Sequence, residues 1–229
     1  MIAELFLEGI GAAQCDVPVG ATVAKDATVV VSLPHGAFLA RVARLRENGA
    51  PPAGGETSRP PAGWHGYSRK TVREARFERI ASDDDLRRES LARGQSRKAI
   101  DRLSMRLPRL FPNVRPLTVR YALGLQHALF FFGAEGEVDV RAVADAAQRE
   151  LQCTVEVERA GLRDHAALLG GVGTCGRTLC CASWLERFQP VTVAMAREQG
   201  LNIAPEALSG PCDRLKCCLR FEYDPSRDR

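Results

Sequence analysis

Short runs of β-branched residues alternate with two long amphipathic stretches along this chain, and their order predicts an α+β fold. Residues 1–46 read as a small β-rich N-terminal unit. In it, Thr22 to Val31 ends in three consecutive valines, Pro34-His35-Gly36 supplies a turn, and Ala37 to Val42 returns as a strand. Between 47 and 70, Pro51, Pro52, Gly54, Gly55, Pro60, Pro61 and Gly63 break every periodic pattern, as a linker or an inserted surface loop would. Trp64 and Tyr67 at its end are too few aromatics for a base-stacking platform.

Residues 71–160 carry the clearest periodicity. Thr71 to Ile80 alternates as a strand. Ser82 followed by Asp83-Asp84-Asp85 is a cap with an acidic first turn, predicting a helix to about Leu107, before Pro108. Pro116–Leu123 and His127–Phe132 form two strands turning at Gly124. A second helix spans Val140–Leu151, with Val140, Val143, Ala144 and Ala147 on one stripe, and Thr154–Glu158 closes the set. Strand–helix–strand–strand–helix–strand is the order of a ferredoxin-like split βαβ core. Residues 161–229 follow as a cysteine-rich loop and helix region.

Composition changes this picture little. The chain has 229 residues and a net charge of +4, long enough for a substantial core and mildly basic. The charge permits RNA or an acidic protein as partner without demanding either. The first helix carries Arg87, Arg88, Arg93, Arg97 and Arg102, which reads first as a solvated face and second as an electrostatic contact. The start, Met1-Ile2-Ala3-Glu4, has acid where a signal peptide needs Lys or Arg, and no apolar run reaches membrane-spanning length. A cytoplasmic location is therefore expected.

The cysteines change it most. Six of eight lie in two copies of Gly-x-Cys-x-Arg-x-x-Cys-Cys, at Gly173–Cys181 and Gly210–Cys218, offset by 37 positions. In a reducing compartment such an array favours metal over disulfides. Cys175, Cys180, Cys181, Cys212, Cys217 and Cys218 are the candidate ligands. An iron–sulfur cluster leads, because structural zinc favours Cys-x₂₋₄-Cys knuckles, whereas each copy here ends in an adjacent pair. Zinc, redox-active thiols and disulfides remain the alternatives. Positions five apart diverge by about 140° on a helix, so Cys175 and Cys212 are expected on loops. Cys180-Cys181 and Cys217-Cys218 then fall at helix starts, the first helix running through Trp184 and Leu185, where the positive helix end lowers thiol pKa values. Arg177 and Arg214 repeat in register and are candidates to offset a cluster's negative charge. Cys153 reads as core and Cys15 as uninformative. His165 is a weak candidate ligand or base. The chain has no nucleotide-binding, phosphate-loop, nucleophile-elbow or zinc-protease motif, so no enzymatic activity is expected. A zinc-stabilised RNA-binding module is the alternative to a cluster-bearing scaffold, with a thiol oxidoreductase behind both.

Gly170 through Cys181, Phe188-Gln189-Pro190-Val191, Met195-Ala196 and Leu208 through Cys218 resemble the bacterial YaaT/RicT family, which carries a polymerase-suppressor (PSP-type) C-terminal domain. Arg79 to Leu86, Phe130 to Arg141 and Gly161 to Asp164 extend the likeness, so that the PSP-type domain would span about 71–222. The resemblance implies a non-enzymatic regulatory subunit that joins small helical partner proteins in a complex carrying [4Fe–4S] clusters. It further implies an influence on ribonuclease Y, messenger-RNA processing and developmental regulation, with the six motif cysteines as ligand candidates.

Overall fold

The structure is a computed structural model, and it describes residues 1–7, 10–46, 68–183, 185 and 190–223. The expected linker lies outside the described residues up to position 67, as do Trp64 and Tyr67.

The N-terminal unit is a six-stranded sheet. Its strands are β1 (Ile2–Leu7), β2 (Gly11–Asp16), β3 (Thr28–Leu33), β4 (Gly36–Arg46), β5 (Ser68–Glu74) and β6 (Arg76–Ile80), in the order β5-β2-β1-β4-β3-β6. Residues 22–27, expected within the strand of the valine run, precede it instead, in a turn at Asp26. Only Ala75 separates β5 from β6, and its N–H donates to the Gln14 carbonyl at 2.8 Å. One continuous stretch thus pairs β2 in parallel at one edge and β3 antiparallel at the other. That curls the sheet and leaves neither β2 nor β3 as an unpaired edge.

This closure alters the expected topology. The strand foreseen at 71–80 as the first of a ferredoxin-like core belongs to the N-terminal sheet. Val29 and Val31 of β3 are fully buried, and β6 supplies the second row of backbone partners that strand needs, with Phe77 packing on the same core. What remains is a three-stranded sheet, β7 (Val114–Tyr121), β8 (His127–Ala134) and β9 (Thr154–Arg159), with β8 in the centre. The β7–β8 pair is antiparallel and β8–β9 parallel, the crossover being α2 (Val140–Leu151). The α+β class stands, and among the described residues the split four-stranded sheet does not form.

Strand β8 explains its own composition. Leu129 and Phe131 point into the N-terminal core, while Ala128, Phe130 and Phe132 point into the helical layer. A strand covered on both faces reads as an unbroken apolar run rather than an alternating one. Each buried Phe contributes roughly 2 kcal/mol. The layers meet closely at Gly36, where φ is +130° and an added Cβ would lie 2.8 Å from Ala122 Cβ. Leu123 N–H donates to the Ala37 carbonyl at 2.9 Å across the same junction.

The helix α1 (Asp83–Leu110) starts as expected. Ser82 and Asp85 form a reciprocal capping box. Its buried stripe, Asp85, Glu89, Ala92, Ser96, Ala99, Leu103 and Leu107, is half polar because partners reach it. Arg79 grips Asp85, Arg93 and Arg120 converge on Glu89, and the Ser96 hydroxyl donates to the Ala92 carbonyl and accepts from Tyr121 N–H. The helix runs past Pro108 by two residues. Proline there removes a single helical bond in the last turn, and the Phe111 N–H closes the end on the Leu107 carbonyl at 2.8 Å. No described helix is long and apolar enough to cross a membrane.

Candidate metal centre

Beyond β9 the chain forms α3 (Leu162–Leu169), then two loops with short helices: α4 (Cys180–Ser183), α5 (Val193–Glu198), α6 (Pro205–Leu208) and α7 (Cys218–Phe221). The two motif copies fold alike, hydrogen bond for hydrogen bond. Gly173 N–H donates to the Arg177 carbonyl at 2.8 Å, and Gly210 N–H to the Arg214 carbonyl at 2.8 Å. Gly176 donates to Gly173 and Asp213 to Gly210, each at 3.0 Å; Leu179 donates to Gly171 and Lys216 to Leu208, at 3.0 and 2.9 Å. Bridges Val172–Thr178 and Ser209–Leu215 pinch both loops at the same place. Every one of these pairs is related by the same 37-residue offset as the cysteines.

Cys175 and Cys212 sit on the loops, and the adjacent pairs open α4 and α7, as the spacing requires. The first of these helices is shorter than expected, ending at Ser183; Trp184 lies outside the described residues. All six cysteines line one cavity of about 330 Å³, together with Arg163, Lys216 and Glu222 among others. The loops therefore face each other across a shared space. None of the eight cysteines, all of them among the described residues, forms a disulfide. Cys175 is exposed and Cys181 is buried with Ala167, Leu179 and Ala182, while Cys180, Cys212, Cys217 and Cys218 are half-buried.

Burial, not the helix start, sets the thiol chemistry. It pushes Cys217 up to about 11, against the pull of the Arg163 guanidinium and with Cys181, Cys212 and Cys180 adding to the rise. Cys180 is raised by burial, then by Cys175 and Glu222, and Cys218 by burial, then by Glu222 and Cys180. The expected lowering is overturned here: four-residue helices carry little dipole, and a buried thiolate without a cation is poorly solvated. Cys180, Cys217 and Cys218 would ionise readily only against a positive centre.

The donor set is made of thiols, which both zinc and iron–sulfur clusters take as ligands. Among the described residues, no three His, Cys, Asp or Glu side chains stand close enough to hold a single ion. A tetrahedral zinc needs four ligands at about 2.3 Å from one point. A polynuclear cluster spreads its thiolates over a wider frame, and six thiols line the cavity.

The other candidates separate clearly. The Arg177 and Arg214 side chains are exposed, and Arg177 lines the cavity. Both residues shape their loops through their carbonyls. The guanidinium acting on the Cys217 thiol is that of Arg163, which also donates to the Leu215 carbonyl at 3.3 Å and so ties α3 to the second loop. Arg163 and Glu222 were not singled out from the sequence as site residues, because neither belongs to the repeat. His165 packs by Gly133 and does not line the cavity. Cys15 is buried in the N-terminal core, its thiol raised to about 11 by burial and then by Asp16. Cys153 packs in the helical layer against Tyr121.

Residues 190–227 match the family described as PSP1-like protein, third domain. No solved structure matches the chain. Among curated proteins, the chain is similar to the stage 0 sporulation protein YaaT of Bacillus subtilis (strain 168), with 34% identity over 146 residues, 64% of this chain and 53% of that protein. The chain thus spans about half the length of the curated relative it matches. The identity and the PSP1-like match are two separate likenesses that point to the same kind of protein, YaaT-like with a PSP1-like domain.

Proposed function

We propose that this chain is a non-enzymatic regulatory subunit whose two cysteine loops jointly hold one iron–sulfur cluster. The observation that carries this reading is the convergence of both motif copies, in the same backbone conformation, on a single cavity. Cys175, Cys180, Cys212 and Cys217 form the proposed ligand quartet, one loop thiol and one helix-start thiol from each copy. Cys181 packs as a small apolar residue, and Cys218 stands in the same place of the second copy. A bound [4Fe–4S] cluster would supply a redox- and iron-sensitive structural clamp between the loops. The chain's own residues set the stage: Arg163 offers positive charge near Cys217, and α3 and α7 fix the walls.

The similarity to a sporulation protein supports a regulatory role acting through protein partners. We place small helical subunits and ribonuclease Y among those partners, with messenger-RNA processing as the process regulated, as the family resemblance implies. Anaerobic purification followed by iron, acid-labile sulfide and zinc analysis tests the metal assignment. Iron and sulfide in equal amounts are expected, and stoichiometric zinc without sulfide would sink it, favouring a zinc-stabilised module.

A further inference from the structure

Helix α1 is buried along one stripe, and the side chains of its opposite face are exposed. At about 100° per residue, Arg87, Lys98, Arg102 and Arg109 fall in one sector with Leu91 and Met105. Arg88 and Arg106 border it. All of these side chains are exposed, Leu91 at 66% and Met105 at 62%. From Arg87 to Arg109 the sector itself contains no carboxylate: Glu89 lies on the buried stripe, Asp101 borders the sector about 40° from Met105, on the side away from Arg88 and Arg106, and Arg88 pairs with Asp84 at 2.8 Å.

We infer that this face docks an acidic amphipathic helix of a protein partner. Leu91 and Met105 are fourteen positions, four turns, apart on the same side, about 21 Å along the axis. That spacing presents two apolar knobs in register to an antiparallel or parallel helix of heptad pattern. The cations around them match a partner with Glu or Asp flanking its apolar stripe, and would repel a basic one. RNA fits the face less well. A phosphate backbone has nothing to cover exposed Leu and Met, and the sector carries no aromatic side chain on which a base could stack. Arginine and lysine stems lie along apolar surface while their charged ends reach outward, so knobs and charges can serve the same partner.

The inference rests on the partner-joining role proposed above and is independent of the metal site. A photo-crosslinking amino acid placed at position 91 or 105 of the full chain, in its native host, tests it. Crosslinked peptides are identified by mass spectrometry, and iron content is measured in the same preparations. Crosslinks to an acidic, heptad-patterned segment are expected, falling at least five-fold when Lys98→Glu and Arg102→Glu are combined, while iron content stays unchanged. Crosslinks chiefly to RNA, or protein crosslinks that the charge reversal leaves intact, would overturn it, as would no crosslink above a probe placed at the exposed Val19. Absence of iron from preparations that give the expected charge-sensitive crosslinks would instead count against the cluster proposal and leave this inference standing.

Discussion

Gly176 and Asp213 occupy the same left-handed turn position in the two cysteine loops, with φ of +76° and +55°, 37 residues apart. Glycine meets that backbone without cost, and aspartate is among the few other residues that tolerate it. An added Cβ at Gly176 would touch nothing within 4 Å, so any cost of substitution there is conformational. Gly176→Ala should lower stability by about 1 kcal/mol, whereas Asp213→Gly should be neutral or slightly stabilising. Urea midpoints of the two variants check this; equal losses would show that the copies do not share one conformation.

Cys181→Ala should leave metal content and visible absorption unchanged, because its thiol packs with Ala167, Leu179 and Ala182. Cys180→Ser, one position earlier, should abolish both. If the two variants lose metal equally, the quartet proposed above is wrong and each adjacent pair contributes both thiols.

The Asp85 carboxyl links the cap of α1 to β6. Hydrogen bonds from Arg79, joined by those from Ser82, hold it well below the usual carboxylate range, despite burial. A depressed folded-state pKa means stability that is present at neutral pH. It begins to fade as pH falls below about 4, the unfolded carboxylate value, and is lost on passing the folded value. Asp85→Asn should flatten that acid-side decline, and Ser82→Ala should cost about 1 kcal/mol at neutral pH. Thermal melts across the acid range read both effects. Full acid sensitivity retained by the Asp85→Asn variant would place the titrating group elsewhere.

The Glu89–Arg120 pair is buried between α1 and β7. Glu89→Ala leaves a buried guanidinium without its carboxylate, so a loss of about 3 kcal/mol is expected in chemical denaturation. Gly36→Ala should cost about 2 kcal/mol through its clash with Ala122 at the junction of the layers. A loss below about 0.5 kcal/mol at either site, the range of ordinary surface substitutions, would contradict the packing described.

Local signals carried far in this chain and long-range ones did not. The Ser82 cap, α2 over Val140–Leu151 and the β7–β8 hairpin follow from turn chemistry and periodicity within a few residues. The alternation at 71–80 marks a strand, but not which sheet it joins. That depended on β2 and β3 both needing a partner far along the chain, in the stretch Ser68 to Ile80. The motif repeat made loop and helix placements of the cysteines readable, since equal residues at equal spacing adopt equal turns. The meeting of both loops at one cavity was not readable, because α5 and α6 intervene between them along the chain. Arg163 and Glu222 escaped for the same reason: they reach the thiols through space, from outside the repeat.

The central claim is that the two loops build one site rather than two. Comparing Cys175→Ser with Cys212→Ser in iron and sulfide content, after anaerobic purification, tests it most directly. One shared cluster predicts that each single substitution removes nearly all of the iron and sulfide. Retention of about half by each variant, as two independent sites would give, would contradict it.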